Sequence, residues 1–348
     1  MNLLIEKNVP LAQLTTLKIG GAAKLFVRIT SENQIAEVIN FAEKNRLKIF
    51  ILGGGSNVLI ADEGFDGLVL QIALRGISVE QSEDKVLVTA KAGEDWDAFC
   101  AFCVDENLQG VECLSGIPGL IGGTPVQNVG AYGQDVSETI QRVRVFDRLE
   151  KKFSDLSNAD CEFGYRKSIF NSSQKNRYIV TSVVFALKEN GQPKIVYKDL
   201  LEIFDTETPT LRQTREAVLK IRRAKSMVIG ENDPNSKSAG SFFKNPVVSK
   251  AEFGEIEKRA KIAGIENVPF FKNGENVKIP AAWLIEKSDF YKGFNNGKVG
   301  LSTNHTLAII NLDDASAYDI LKFKDEIQAK VKTIFAVELQ PEPIFVGF

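Results

Sequence analysis

The sequence predicts an α+β protein with a mostly β middle region and a smaller mixed region on its C-terminal side. The chain has 348 residues, which is more than one hydrophobic core usually serves, so two or three domains are expected. Strand-like segments separated by turn residues fill most of residues 64–190, and helical periodicity is scarce between residues 110 and 190. Helical patterns return beyond residue 210.

The N-terminal third alternates strands with one helix. KLFVRI (24–29) predicts a strand, residues 31–45 predict a helix, and KIFIL (48–52) predicts a short apolar strand. This last strand runs directly into the glycines of GGGSN (53–57). Later segments that are typical of strands are GLVLQI, KVLVTA, RVRVF and YIVTSVVFAL, whereas WDAFCAFCVDENL is typical of an amphipathic helix.

A change in composition marks the C-terminal region. A basic amphipathic helix is predicted over roughly residues 210–225. Residues 226–240, which follow it, are rich in Gly, Ser, Asn and Pro, and this is typical of a linker or a functional loop. The elements expected beyond this segment are helices near residues 250–263, 281–287 and 315–333 and strands at LAIINL (307–312) and PIFVGF (343–348).

The overall charge argues against nucleic acid as a partner. The chain has 43 Lys and Arg residues against 45 Asp and Glu residues, whereas dedicated nucleic-acid binders carry a basic surplus. The opening MNLLIEKNVP does not resemble a signal peptide, and no apolar stretch is long enough to span a bilayer. We therefore expect a soluble cytoplasmic protein that binds neither nucleic acid nor a membrane.

The four cysteines predict no metal site. Cys100 and Cys103 form a CxxC pair, which could be a redox pair or half of a metal site. The surrounding segment reads as a helix, however, in which positions three apart share a face. Cys113 and Cys161 are single and His305 is the only histidine, whereas zinc needs a second pair or nearby histidines. Cysteines buried in the core are therefore the favoured interpretation.

Two glycine-rich segments are candidates for a cofactor site. In GGGSN, the glycines allow backbone N–H groups to converge on an anion, although such a run alone is more often a tight turn. It lacks the GK[ST] of a Walker A loop, and Val58 stands where a dinucleotide fingerprint needs its third glycine. Residues 114–133 form a long, uncharged, apolar segment that suits a flat neutral ring system, such as an isoalloxazine beside a diphosphate.

The order of five motifs resembles the UDP-N-acetylenolpyruvoylglucosamine reductase family, also called UDP-N-acetylmuramate dehydrogenases. The resemblance covers nearly the whole chain and rests on GGGSN, IPGLIGGTPVQNVGAYG, FGYRKSIF, AGSFFKNP and the terminal PEP. VYKDL (196–200) further resembles the subclass in which an extra loop brings a tyrosine to the substrate. The implied fold is an FAD-binding domain of the vanillyl-alcohol-oxidase-like (PCMH-type) fold in two subdomains, followed by an α+β substrate-binding domain. The corresponding boundaries are residues 1–63 with 335–348, residues 64–225 and residues 226–334.

The resemblance implies two half-reactions at one non-covalently bound FAD. NADPH first delivers hydride to the flavin. UDP-N-acetylglucosamine enolpyruvate then accepts hydride from the reduced flavin at its methylene carbon and a proton at the neighbouring carbon. The product is UDP-N-acetylmuramate, a precursor of peptidoglycan, and the enzyme is expected to be a monomer.

The resemblance also implies a role for individual residues. Ser241 matches the proton donor, Arg166 the arginine that steadies the enolate, and Glu342 the third catalytic position. The ordinary alternatives are a helix or turn cap, a surface salt bridge and a loop glutamate. The implied cofactor-binding residues are Gly53, Gly54, Gly55, Ser56, Asn57, Gly119, Gly122, Gly123, Thr124, Asn128, Gly130 and Ala131, and the implied substrate-binding residues are Tyr132, Tyr197, Lys225, Asn245 and His305. For Lys225 the alternative is a solvated basic helix face, and for His305 a structural group.

Two other functions fit parts of the pattern. The first is another FAD-dependent oxidoreductase of the same fold, acting on an alcohol or a hydroxy acid. Many such relatives attach FAD covalently to a histidine of the flavin domain, and the absence of any histidine before His305 excludes that link. The second is a sugar-nucleotide sensor without turnover. A sensor needs none of Ser241, Arg166 and Glu342, so their joint presence argues against it.

Overall fold

The computed structural model describes residues 3–348, which divide into two compact units. The first unit consists of the segment that ends at Val9, Ala23–Gly55 and Asp66–Val228. The second consists of Pro10–Ala22, Ser56–Phe65 and Ile229–Phe348. Both units combine separated stretches of chain. The three-part division that the sequence suggests stays a prediction.

Seven α-helices and twenty strands are found in the described residues. The helices are α1 (Asn33–Lys44), α2 (Trp96–Asp105), α3 (Lys198–Phe204), α4 (Leu211–Ala224), α5 (Lys250–Ile262), α6 (Ala281–Glu286) and α7 (Ala317–Phe335). The strands are β1 (Ile5–Pro10), β2 (Ala22–Ile29), β3 (Ile49–Leu52), β4 (Val58–Ile60), β5 (Phe65–Ile72), β6 (Ile77–Ser82), β7 (Lys85–Lys91), β8 (Leu108–Gln109), β9 (Gly130–Ala131), β10 (Gln134–Asp135), β11 (Ile140–Asp147), β12 (Lys152–Ser157), β13 (Tyr178–Glu189), β14 (Val247–Val248), β15 (Phe271–Asn273), β16 (Asn276–Lys278), β17 (Asn295–Asn296), β18 (Val299–Leu301), β19 (Ile309–Asn311) and β20 (Ile344–Val346).

The first unit contains two large sheets, the two-stranded β9–β10 sheet and helices α1–α4. One has the strand order β1-β2-β5-β3, with β3 and β5 parallel. The other has the order β12-β11-β13-β7-β6, with β8 joined to the end of β13. Strand β13 is central in this sheet and is buried from Ile179 to Phe185 and at Leu187, which explains its almost continuous apolar sequence. Trp96 and Phe99 of α2 pack on Phe185 of β13, and the rings of Phe99 and Phe185 lie 4.8 Å apart.

Helices α5, α6 and α7 and three small sheets form the second unit. The sheets are β14-β16-β15, β17-β18-β19 and the parallel pair of β20 with β4. Helix α7 supplies Phe323 and Phe335 to the core, where Phe323 stacks on Phe294 with a ring separation of 5.9 Å. The pairing of β20 with β4 brings the C-terminal segment beside the residues that follow Asn57.

Most elements lie where the sequence predicts them. Helix α4 begins after Thr210, whose hydroxyl accepts a hydrogen bond from the backbone N–H of Gln213 in a capping box. Cys100 and Cys103 are buried free thiols in the core of the first unit, as expected, and burial raises the pKa of both. The strand expected at residues 307–312 is shorter, Ile309–Asn311. Among residues 3–348, no helix combines the length and the apolar composition that a membrane crossing requires.

Candidate active site

The two glycine-rich segments, Gly53–Gly55 and residues 114–133, meet backbone to backbone in the first unit. A Cβ atom added to Gly54 would lie 2.9 Å from the Cα of Gly119, a separation that real Cβ atoms essentially never show. A Cβ on Gly122 would lie 2.8 Å from that of Ala92, and the Gly122 N–H donates to the Ala92 carbonyl over 2.9 Å. Glycine at positions 54 and 122 is therefore explained by close packing of the chain, and Gly119 has a φ angle of 135°, which favours glycine.

Gly53 and Gly123 differ from these positions. A Cβ atom on either of them would meet no atom within 4 Å, so both border open space. None of the N–H groups of Gly53, Gly54 and Gly55 donates a hydrogen bond to another of residues 3–348. Consecutive unsatisfied N–H groups beside open space suit an anionic group such as a diphosphate, and the small residues suit the close approach of a flat ring. The segments therefore fit FAD.

Three other predicted cofactor residues are occupied within the protein. The Thr124 hydroxyl donates to the Ile121 carbonyl over 2.8 Å and closes a short 3-10 turn. Gly130 and Ala131 form β9, which pairs with β10 in a hairpin. These contacts neither support nor exclude a cofactor role for the three residues, which stays a prediction.

Asn128 connects residues 114–133 to the turn that carries Arg166. Its side-chain nitrogen donates to the carbonyl of Gly164 over 3.2 Å, and its side-chain oxygen accepts from the Ser137 N–H over 3.1 Å. Residues 164–167 form a tight turn, closed by a 2.9 Å hydrogen bond from the Gly164 N–H to the Lys167 carbonyl. The predicted cofactor residue Asn128 thus uses its side chain to position the predicted catalytic turn.

Arg166 has an unusual backbone conformation. Its φ angle is 53°, in the left-handed region that turns normally reserve for glycine or asparagine. Its carbonyl accepts a hydrogen bond of 3.1 Å from the side chain of Asn171, and its guanidinium lies 5.8 Å from the centre of the Tyr165 ring. Other non-glycine residues of the chain, such as Glu83 and Lys151, also have a positive φ, so this conformation alone does not mark a functional site.

Three predicted substrate-binding residues meet in the first unit, in what we call the tyrosine cluster (Tyr132, Tyr197, Asp199 and Lys225). The rings of Tyr132 and Tyr197 pack edge to face with centres 5.2 Å apart. The Lys225 ammonium donates to the Asp199 carboxylate over 2.7 Å, with both side chains about one-third exposed. Burial would lower the pKa of Lys225, but Asp199 and the two phenol groups outweigh it, so this pKa lies above its usual value. The ammonium is therefore charged at neutral pH.

Asp199 and Arg222 are two participants that we did not predict from the sequence. Asp199 lies within VYKDL, but nothing in that motif distinguishes it as the partner of Lys225. Arg222 is 8% exposed and donates to the Met227 carbonyl over 2.7 Å, and its positive charge acts on the Tyr132 hydroxyl. Burial raises the pKa of Tyr132, an effect that Arg222 and Lys225 only partly offset. The tyrosine is therefore a neutral hydrogen-bonding group.

The second unit brings Ser241 and Glu342 onto paired segments. The Glu342 N–H donates to the Phe242 carbonyl over 2.9 Å, and the Lys244 N–H donates to the Gln340 carbonyl over 2.9 Å. Asn57 joins them, since its side chain donates to the Glu342 carbonyl over 3.3 Å. The Ser241 side chain forms no hydrogen bond with residues 3–348 and caps no helix, so the ordinary role of a serine in such a sequence does not account for it.

Asn245 and His305 flank this pair of segments. The Asn245 side-chain oxygen accepts from the Ala281 N–H over 2.8 Å at the start of α6, which leaves the amide NH₂ group as its outward donor. His305 lies two residues before Leu307, whose carbonyl accepts a 2.7 Å hydrogen bond from the Phe242 N–H. The segments of Asn57, Ser241 and Glu342 are therefore joined by hydrogen bonds within the second unit, to which Ser56 also belongs. Arg166 and the tyrosine cluster belong to the first unit.

Comparison with known proteins identifies the family. A profile described as an FAD binding domain matches residues 23–150, and one described as the C-terminal domain of UDP-N-acetylenolpyruvoylglucosamine reductase matches residues 233–346. The reductase of that name from Thermobifida fusca is 43% identical over 98% of both chains. The chain belongs to the UDP-N-acetylenolpyruvoylglucosamine reductase family. Its relative from Streptomyces coelicolor is 40% identical and covers 98% of this chain and 90% of its own.

A solved structure supports the fold. The UDP-N-acetylenolpyruvylglucosamine reductase of Thermus caldophilus superposes with a TM-score of 0.67 over 99% of each chain, at 23% sequence identity. The predicted family, the α+β class, the FAD-binding domain and the assignment as an FAD-dependent oxidoreductase are thus confirmed. The roles of the individual site residues stay predictions.

Proposed function

We propose that this chain is a cytoplasmic monomer that uses NADPH to reduce UDP-N-acetylglucosamine enolpyruvate to UDP-N-acetylmuramate. Relatives named for this activity align over nearly the whole chain, which supports the substrate class. The observation that carries the proposal is the Ser241 hydroxyl, which forms no hydrogen bond within residues 3–348 and lies on a segment paired with that of Glu342.

The glycine-rich segments would hold FAD, which supplies a hydride carrier when it is bound. The N–H groups of Gly53, Gly54 and Gly55 would donate to its diphosphate, because they lack other acceptors among the described residues. Gly53 and Gly123 leave room for the close approach of the ring. These residues bind and orient the cofactor and take no part in proton transfer.

The tyrosine cluster would hold the UDP-sugar. Lys225 is charged at neutral pH and is the natural partner of a nucleotide diphosphate, with Asp199 fixing its ammonium until the substrate arrives. The neutral Tyr132 and the adjacent Tyr197 offer hydroxyl groups and ring faces to the nucleotide. Asn245, whose amide hydrogens donate to no other described residue, would be a further substrate-binding residue.

Three residues would act on the reacting carbons. Hydride addition to the methylene carbon develops negative charge on the neighbouring carbon and its carboxylate, and the Arg166 guanidinium would pair with this charge. Ser241 Oγ would then deliver its proton to that carbon, which is basic enough to take it when the geometry is held. Glu342 would be the third catalytic residue and would position Arg166.

Anaerobic stopped-flow absorbance tests the proposal by following the flavin band. In the wild-type protein we expect NADPH to bleach the band and UDP-N-acetylglucosamine enolpyruvate to restore it rapidly. Ser241→Ala should leave the first phase intact and slow the second by roughly 10²–10⁴-fold, the range of general acid catalysis. Ser249→Ala is the matched control, because the Ser249 hydroxyl caps α5 and its loss lowers stability alone.

Each contrary outcome points to a different error. Equal slowing of both phases in Ser241→Ala would remove the proton-donor role. A band that returns only with oxygen would show that the substrate is wrong. A protein without a flavin band, even after addition of FAD, would exclude the cofactor assignment.

A further inference from the structure

A buried carboxylate lies beneath the tyrosine cluster. Glu112 is 0% exposed and begins a short 3-10 helix, Glu112–Leu114. No lysine or arginine of residues 3–348 forms an ion pair with it, although buried carboxylates are normally paired. Its two side-chain oxygens instead accept hydrogen bonds from three donors. These are the Gly110 N–H at 2.8 Å, the Gln134 amide at 3.2 Å and the Lys194 N–H at 3.3 Å.

One of these donors belongs to the hairpin that carries Tyr132. Ala131 of β9 pairs with Gln134 of β10, so Tyr132 and Gly133 form the connecting two-residue turn. Their φ angles are 51° and 82°, the pattern of a type I′ turn, which a tyrosine adopts only when neighbouring contacts hold it. Gln134 supplies such contacts, since its side chain donates to Glu112 and accepts from the Cys113 N–H over 3.0 Å.

A second donor belongs to the segment that leads to Tyr197. Lys194 lies three residues before Tyr197, and its carbonyl also accepts a 3.5 Å hydrogen bond from the thiol of Cys113, the residue after Glu112. The segment packs closely on the hairpin, because a Cβ atom on Gly133 would lie 2.3 Å from a methyl group of Val196. The hairpin and the Tyr197 segment therefore share one buried support.

We propose that Glu112 is a positioning residue that fixes Tyr132 and Tyr197 relative to each other and so determines the affinity for the UDP-sugar. This inference rests on the proposed function, in which those tyrosines contact that substrate. Glu112 Oε1 accepts from both the Gln134 amide and the Lys194 N–H, so one atom joins the two tyrosine-bearing segments. Glu112 itself touches neither tyrosine ring and acts only through Gln134 and Lys194.

Glu112→Gln tests this role with little change in size. The new NH₂ group faces a donor in either orientation, because the Gly110 N–H points at one oxygen and the Gln134 and Lys194 donors point at the other. If the NH₂ group faces Gly110, the side chain loses the anchor that holds its remaining oxygen between the two segments. If it faces Gln134 and Lys194, both supports of the tyrosines are lost. We expect the KM for UDP-N-acetylglucosamine enolpyruvate to rise about tenfold, while kcat and the rate of flavin reduction by NADPH change by less than about twofold.

Asp147→Asn is the matched control. Asp147 is a carboxylate that is 3% exposed and accepts from Arg177 and from the Leu149 N–H. Asp147 is the last residue of β11, whose first residue, Ile140, follows the hairpin closely. At about 3.3 Å per residue it lies roughly 23 Å along the strand from Ile140, which keeps it away from the hairpin. Its substitution should lower the melting temperature and leave the KM unchanged. A Glu112→Gln protein that behaves like this control would show that Glu112 is only a structural buried charge and would overturn the proposal.

A second variant covers the case in which Glu112→Gln does not fold. Gln134→Met removes the hairpin support and keeps a side chain of similar length, so a smaller rise in KM with unchanged flavin reduction is expected. An unchanged KM would overturn the proposal.

Wild-type turnover distinguishes a failure of the proposed function from a failure of the role of Glu112. If NADPH reduces the flavin of the wild-type protein but the UDP-sugar does not reoxidise it, both the proposed function and the role of Glu112 are refuted. If the wild-type protein turns over normally and the variants keep its KM, only the role of Glu112 is refuted.

Discussion

The glycine-rich segments and the tyrosine cluster, both in the first unit, differ in the part of the chain that they would offer to a ligand. In the glycine-rich segments this part is the backbone, since Gly54 packs against Gly119 and the N–H groups of Gly53–Gly55 donate to no other of residues 3–348. In the tyrosine cluster this part is a set of side chains, which come from the β9–β10 hairpin, the start of α3 and the end of α4.

This difference decides where substitutions act. An added Cβ at Gly54 collides with the backbone of Gly119, which cannot move aside, whereas one at Gly53 or Gly123 enters open space that the proposal gives to the cofactor. A changed side chain in the tyrosine cluster removes a contact and leaves the backbone in place. The first region should therefore respond in stability and cofactor retention, and the second in substrate affinity.

The largest effect is expected from two neighbouring glycines. Gly54→Ala places a methyl group 2.9 Å from the Gly119 backbone, which should cost about 1–3 kcal/mol of stability and release FAD. Gly53→Ala places its methyl group in open space, so the apoprotein should keep its melting temperature while FAD retention falls. Thermal unfolding of the apoproteins and flavin absorbance after gel filtration separate the two effects. Full FAD retention in Gly53→Ala would reduce this segment to an ordinary tight turn.

A smaller effect, confined to binding, is expected at the end of α4. Lys225→Ala should raise the KM for the UDP-sugar by about 10–100-fold, the range for loss of a charge-assisted hydrogen bond, with a much smaller change in kcat. Arg223→Ala is the control, because Arg223 is exposed two residues earlier and should change neither constant. Steady-state kinetics with each variant provide the test. A large fall in kcat at unchanged KM would place Lys225 in the chemistry and blur the comparison between the two regions.

Local patterns in the sequence predicted much of the first region. GGGSN and residues 114–133 were identifiable because glycine density is a local property, and α4 was identifiable from its basic amphipathic pattern. Helix α3 was not predicted. The sequence suggested only a tyrosine-bearing loop there, and a helix of 7 residues depends on packing because its own nucleation is unfavourable.

The partners within the tyrosine cluster could not be predicted in the same way. Glu112 and Lys194 are 82 positions apart, and Lys225 and Asp199 are 26 positions apart, so only the fold brings each pair together. The turn at Arg166 was also hidden, because its third position holds arginine where a turn of this conformation favours glycine. The motif FGYRKSIF pointed to Arg166 through family resemblance alone, and its strained backbone is known only from the structure.

The smallest effect is expected at Asp97, a side chain that supports the glycine-rich residues 114–133. Asp97 of α2 accepts from the Gly116 N–H over 2.6 Å, near the start of residues 114–133, and pairs with Arg215 of α4 over 2.5 and 3.0 Å. Burial raises the pKa of Asp97, but Arg215 and the Gly116 N–H outweigh it, so this pKa lies below its usual value. Because the folded-state pKa is the lower one, this stabilisation is present above the unfolded-state pKa of about 3.9 and is lost as the pH falls through the folded value.

Asp97→Asn should therefore destabilise the protein at neutral pH and flatten the acid side of its stability profile. The side chain is 36% exposed, so solvent screening limits the loss at pH 7 to about 1 kcal/mol. Melting temperatures between pH 3 and 7 provide the measurement, with Asp66→Asn as a control, since Asp66 forms the exposed pair with Lys24. An equal loss at every pH would mean that the carboxylate charge is irrelevant and that Asp97 holds Gly116 merely by its shape. A loss of stability confined to the higher pH values would show that the Asp97–Arg215 ion pair anchors residues 114–133.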